Sequence, residues 1–186
     1  MEPRQQLSII IPSLTEIVGN ITPDQLDDPT PCATFTIRGV LEHMIGGARS
    51  FAPAFRGIPP DGAAAIPTQQ DQHPAALFRQ AMVELLDAVS TTGALDRTIQ
   101  SPFGAVTGEV FARFVAFDGL IHGWDLTQAT NQPYEPPAEL VAAVDAFARQ
   151  AITPDLRDGD TFRPPTQPPP HANTLQRLVA YTGREI

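Results

Sequence analysis

The sequence has no lysine: all 12 of its basic residues are arginine. We read this as the mark of a GC-rich coding genome and not of a function. The basic residues are outnumbered by 21 acidic ones, giving a formal net charge of -9, and the acidic residues are scattered along the chain. A nucleic-acid binder needs a basic face to meet phosphates, so the balance argues against that class. There is a single cysteine, Cys32, which cannot close an internal disulfide and fits a reducing cytoplasm. No apolar run approaches the ~18 residues of a membrane span, and the opening MEPRQQLS lacks the basic-then-apolar layout of a secretory signal. The sequence also has no HExxH, nucleophile elbow, P-loop or dinucleotide fingerprint, which disfavours hydrolases of those kinds. The expectation is a cytoplasmic protein whose 186 residues form one domain with a real core.

What is present is helical periodicity. Leu7, Ile10, Ile11, Leu14, Ile17, Val18 and Ile21 share one face of a first helix, which Thr22-Pro23-Asp24 ends. Thr36 is the expected N-cap of a second, with Ile37, Val40, Leu41, Met44, Ile45 and Ala48 turned to the core. Gly46 and Gly47 inside it cost roughly 1 kcal/mol each against alanine, so we expect a close neighbour there. The segment 57–72 has neither period nor bulk, and a loop of that kind is functional or disordered. Pro74 opens a third helix, and Thr91-Thr92-Gly93 closes it. Fragments between Arg97 and Thr107 read as a short hairpin or extended arms. A fourth helix runs from Val110 to Thr130 and a fifth from Pro137 to about Ala151. A proline-rich strap, 155–172, then leads to a last short helix begun by Asn173 and Gln176 and closed by Gly183. Four long amphipathic helices with little strand pattern make an all-α fold: a four-helix bundle with additional C-terminal helices and the strap packed on it.

The fourth helix carries the chemistry. Phe111, Phe114 and Val115 lie on the same face as Asp118, His122 and Asp125, so the stripe begins apolar and turns polar halfway along. A solvated stripe would be polar throughout and a core stripe apolar throughout. A buried polar site explains the change better. Side chains at i and i+4 stand about 5–6 Å apart at Cβ, so Asp118 and His122 could grip one metal ion, with His43 of the second helix as the third ligand. Two imidazoles and a carboxylate suit zinc with one open position, and equally iron, nickel or manganese. The plain alternatives are a hydrogen-bonded core histidine at His43 and a surface ion pair between Asp118 and His122.

The remaining candidates are weaker. His73 beside Pro74 and His171 after three prolines sit on no apolar face. Cys32 reads as a small packing residue, or as a thiol near the site with nothing placed to activate it. Asp125 could orient a ligating imidazole or face solvent, and Trp124 reads as a core or site-wall aromatic.

Two blocks, LDDPTPCATFTIRGVLEHMIGG (26–47) and FDGLIHGWDLTQATNQP (117–133), resemble the metal-binding domain of mycothiol-dependent maleylpyruvate isomerase and its relatives, within the DinB-like four-helix bundles. The closing ANTLQRLVAYTGR is similar to the end of a single-domain branch of that family. The resemblance implies an up-down DinB-like bundle that binds a divalent ion, usually zinc, at His43, Asp118 and His122. Trp124 and Asp125 would then shape the surroundings of the ligands. It also implies a low-molecular-weight, mycothiol-like thiol as cosubstrate of a transferase or isomerase, a small-molecule substrate, and an option of homodimerisation. The chain departs from the isomerase in three ways. Asp118 stands for its glutamate, Phe35 stands where relatives usually have tryptophan, and 186 residues leave no room for the isomerase's additional C-terminal domain. The expected function is therefore a metal- and thiol-dependent enzyme of open substrate, with segment 57–72 as a lid. The rival expectation is a non-catalytic metal- or partner-binding bundle.

Overall fold

The computed structural model describes residues 1–58, 74–101, 104–157 and 162–186. Among the described residues six α-helices span Pro3–Gly19 (α1), Ile37–Arg56 (α2), Pro74–Ser90 (α3), Gly108–Thr130 (α4), Ala138–Ala151 (α5) and Thr174–Tyr181 (α6). Thr98–Ser101 (β1) and Gly104–Thr107 (β2) pair antiparallel, with Thr98 opposite Thr107. The hairpin reading between Arg97 and Thr107 is thus correct. The proposed lid lies, from residue 59 onward, outside the described residues, as does His73. No helix among the described residues is long and apolar enough to cross a membrane.

The helix ends follow local chemistry. The Thr36 hydroxyl accepts from the Gly39 amide at 3.2 Å and so satisfies one of the free N–H groups at the start of α2. Thr107 does the same for Val110 at the start of α4. α4 ends on Asn131 in the left-handed region at φ 58°, a conformation asparagine tolerates better than most residues. Asn173 and Gln176 form a reciprocal capping box at α6.

α1 packs against α3 and α4, and α2 packs against the same two helices, so the order around the bundle is α1, α4, α2, α3. α1 and α2 therefore face each other diagonally across the axis. Gly119 and Gly123 let α1 approach α4 closely. A Cβ at Gly119 would sit 3.0 Å from Ile10 Cγ2, and one at Gly123 would meet Leu14 at 3.2 Å and the Tyr134 hydroxyl at 2.6 Å. α4 is the central element: every residue from Gly119 to Thr127 is buried. At Gly47 the close protein neighbour is the Phe51 ring of its own helix, 3.1 Å from where a Cβ would stand.

The described part of the strap is held to α6 by backbone and arginine bonds. The Thr166 amide donates to the Ala180 carbonyl at 2.9 Å, and Arg157 donates to the carbonyls of Arg163 and Tyr181 at 2.8 and 3.1 Å. The guanidinium groups of Arg149 and Arg157 lie 4.7 and 4.6 Å from the centre of the Tyr181 ring, in cation–π contact. This packing brings the segment after Gly183 back onto α4.

Candidate metal centre

The site is built by three pieces of chain. α4 supplies Asp118 and His122 on one face, one turn apart. α2 supplies His43 from the opposite wall. The loop between α1 and α2 folds over both through a Pro29–Thr36 bridge, with the Phe35 amide donating to the Cys32 carbonyl at 2.8 Å and Thr30 bonding the Phe35 carbonyl. That turn, fixed by Pro31, presents Cys32, Thr34 and Phe35 to the site.

Asp118 Oδ1 lies 3.3 Å from His43 Nε2 and 3.4 Å from His122 Nε2. Ligand atoms of the three residues all fall within 4.8 Å of one another. Two donors of a tetrahedral zinc site with ~2.0–2.1 Å bonds stand roughly 3.3 Å apart, so the spacing fits a single ion. The two rings meet edge to face at 5.1 Å, and Phe35 stacks on His43 at 5.4 Å. His122 is buried, whereas His43 and Asp118 are about half exposed, so the cluster sits at a mouth with His122 as its inner wall.

Behind His122 stands a charge relay of position. Its Nδ1 is 2.9 Å from Asp125 Oδ2 in a fully buried carboxylate. An ionised carboxylate only accepts hydrogen bonds, so Nδ1 must carry the proton. Nε2, the other ring nitrogen, is then turned toward Asp118. Arg184 closes the relay with Nε 2.9 Å from Asp125 Oδ1 and Nη2 2.8 Å from Oδ2. This carboxylate–histidine arrangement is the one that orients metal-binding imidazoles.

The electrostatics agree with it. Burial works to raise the Asp125 carboxyl, but hydrogen bonds from His122 and Arg184 overcome this and hold it below the usual carboxylate value. At Asp118 partial desolvation is likewise outweighed by the charge of His122 and the bond from His43, and its pKa falls. The bond to Asp118 raises His43 above the ordinary imidazole value against desolvation. Burial opposes the Arg184 charge, yet the Asp125 carboxylate more than offsets it and the guanidinium is raised.

The structure thus brings His43, Asp118 and His122 together and puts Asp125 directly behind His122. Trp124 is buried in the core and does not line the adjoining cavity. Cys32 is half buried at the cavity wall, and its sulfur falls in a second group with His122 and Asp125. Both Asp125 oxygens are engaged by Arg184, which leaves that second group poorly suited to a cation. Sequence reasoning found no cation near Cys32, whereas the fold brings Arg184 close enough to interact with it. Arg184 itself went unnoticed. Its only signal was the demand of a buried Asp125 for a counter-charge.

A DinB-like helical fold with a histidine–carboxylate cluster at its mouth defines the class. The chain belongs to the mycothiol maleylpyruvate isomerase N-terminal domain family, whose pattern matches residues 8–127. It is 30% identical over 174 residues to the uncharacterized protein Rv0738 of Mycobacterium tuberculosis strain H37Rv, covering 91% of each chain. It matches the uncharacterized protein MT0763 of strain CDC 1551 to the same extent. No solved structure matches.

Proposed function

We propose that this chain binds one divalent metal ion through His43 Nε2, Asp118 and His122 Nε2, and uses it in a thiol-dependent transferase or isomerase reaction. Zinc is the metal the donor set favours, with nickel, iron and manganese chemically acceptable to it. The observation that carries the reading is the convergence of ligand atoms from His43, Asp118 and His122 within 4.8 Å of one another. With Nδ1 hydrogen-bonded to Asp125, His122 Nε2 faces the Asp118 carboxylate across 3.4 Å, and a divalent ion between them would engage both atoms at once.

The family name joins this domain to mycothiol, and a low-molecular-weight thiol is the cosubstrate we assign by that kinship. A bound divalent ion would supply Lewis acidity that favours the thiolate form. The chain's own residues do the rest. Asp125 and Arg184 hold the His122 ring in one orientation and one tautomer. Phe35 stacks on one face of the His43 ring and limits how it can turn. The half-exposed His43 and Asp118 leave the cluster open on the side from which small molecules enter.

The test is metal content by mass spectrometry on untagged protein, beside His122→Ala and Asp118→Ala. Near-stoichiometric divalent metal in the parent and its loss in both variants is the expected result. Protein that stays metal-free after reloading would overturn the proposal. A second reading is favoured by one observation: among the described residues, outside the ligand set, the ionisable side chains lining the cavity are only Cys32 and Arg184, and neither is an evident general base. On that reading the bundle binds its small molecule without turning it over. It would replace the first if metal-loaded protein bound electrophiles in the presence of thiol and released them unchanged.

A further inference from the structure

The axis of the bundle is not filled. A cavity of about 370 Å³ runs inward from the His43–Asp118–His122 cluster between all four long helices. Its inner wall includes Leu7 and Leu14 of α1, Met82 and Leu85 of α3, and Phe111 of α4. Phe111 is seven residues before Asp118 on the same helix, so the cavity extends about 10 Å along α4 at 1.5 Å per residue. This volume is at the lower end of the range for small-molecule sites, whose walls are mainly apolar with a few convergent polar groups. Here the polar groups stand at one end.

The charge in this space is as informative as its shape. Among the described residues Arg184 is the one lysine or arginine lining it, and three of its N–H groups already bond Asp125 and Thr182. Asp118 adds a negative charge at the mouth, and the chain carries -9 overall. Beyond the proposed metal ion at the mouth, a polyanion would find little in the inner cavity to pair with its further charges. An apolar chain would displace water from a wall of leucine, methionine and phenylalanine at no such cost.

We infer that the molecule served by this centre is an amphiphile, with a metal-binding head at His43, Asp118 and His122 and a medium-length apolar tail lying along α4 toward Phe111. The head rests on the metal-site reading above, and the tail does not. The apolar tail is what sets this ligand apart from maleylpyruvate, the molecule in the family's name. Val115 and Ala48, on facing helices, line the passage the tail must take.

The experiment is a calorimetric titration with n-alkyl hydroxamates from acetohydroxamate to octanohydroxamate, on zinc-loaded protein and on His122→Ala. On the zinc-loaded protein affinity rises about fourfold per methylene, as expected for burial of a CH₂ group. In His122→Ala every affinity falls while the increment per methylene persists. Val115→Phe and, independently, Ala48→Leu occupy the cavity and reduce the increment to near unity with metal content and melting temperature retained. A flat series on protein that holds its zinc overturns the inference and leaves the metal centre standing. An unchanged increment in both folded filler variants overturns it as well. A rising series on protein that never takes up metal supports the tail and defeats the metal-site reading instead.

Discussion

Arg184 and Asp125, 59 residues apart in sequence, form a bidentate ion pair with bonds of 2.9 and 2.8 Å. The carboxylate is fully buried, and the same carboxylate fixes the proton of His122. The pair therefore links the last turn of the described fold to the inner wall of the candidate centre.

Replacing Arg184 with methionine keeps the stem and removes the charge. It leaves Asp125 buried without its cation, a change that costs about 3–5 kcal/mol when one partner of a buried pair is deleted. In a chain of this size that is a fall of about 6–20 °C in melting temperature. Metal affinity should also fall by about 10- to 100-fold, the usual effect of removing support behind a ligating histidine. Thermal unfolding and a chelator competition read the two effects separately.

Asp125 and Asp118 both have depressed pKa values in the folded chain. A group depressed by folding contributes stability that is fully present above its unfolded value, near ~3.9 for aspartate, and is lost as pH falls through the folded value. Urea midpoints of the metal-free protein should thus decline on acidification below about pH 4. In Asp125→Asn part of that decline disappears.

His43 behaves in the opposite sense. Its pKa is raised by Asp118, so its contribution is present below the unfolded value near ~6.5 and is lost as pH rises through the folded one. The same proton must leave before Nε2 can bind a metal. Apparent metal affinity should therefore increase with pH across the neutral range, and less steeply in His43→Gln. Competition with a chromophoric chelator at several pH values measures it.

Gly183 sits at φ +92°, and a Cβ there would lie 2.6 Å from Arg163 Cβ and 2.9 Å from its carbonyl oxygen. Gly183→Ala combines left-handed strain with a clash against backbone and should cost about 1–3 kcal/mol. Because the residue precedes Arg184, it should also weaken metal binding. Normal metal affinity in a destabilised Gly183→Ala would show that the Arg184 position is not set by this turn.

Cys32→Ser distinguishes the two overlapping ligand groups. With both oxygens of Asp125 engaged by Arg184, the thiol is not needed to hold the ion. The serine variant should retain its metal while His122→Ala loses it. Loss in both would move the centre to Cys32, His122 and Asp125.

Much of the fold was legible because helical period and capping act locally. Leu7 to Ile21, the Thr36 cap and the Asn173–Gln176 box need only neighbours three or four residues away. The polar half of α4 was legible for the same reason, since Asp118, His122 and Asp125 share a face by spacing alone. Their tie to His43 needed the resemblance as well as the spacing. Arg184 was not legible, because no local rule connects it to Asp125. The cavity was hidden for another reason: periodicity shows which side of a helix is apolar, not whether facing side chains fill the space between them.

The strap, α6 and Arg184 come after every proposed ligand in chain order. During synthesis α1 to α4 emerge first, with Asp125 already committed to the interior and its counter-charge still inside the ribosome. The nascent bundle must hold that carboxylate with His122 beside it but without its cation, or stay loose around it, until the segment carrying Arg184 docks. Folding of this protein should accordingly finish at its chemical centre, the last part of the molecule to become rigid.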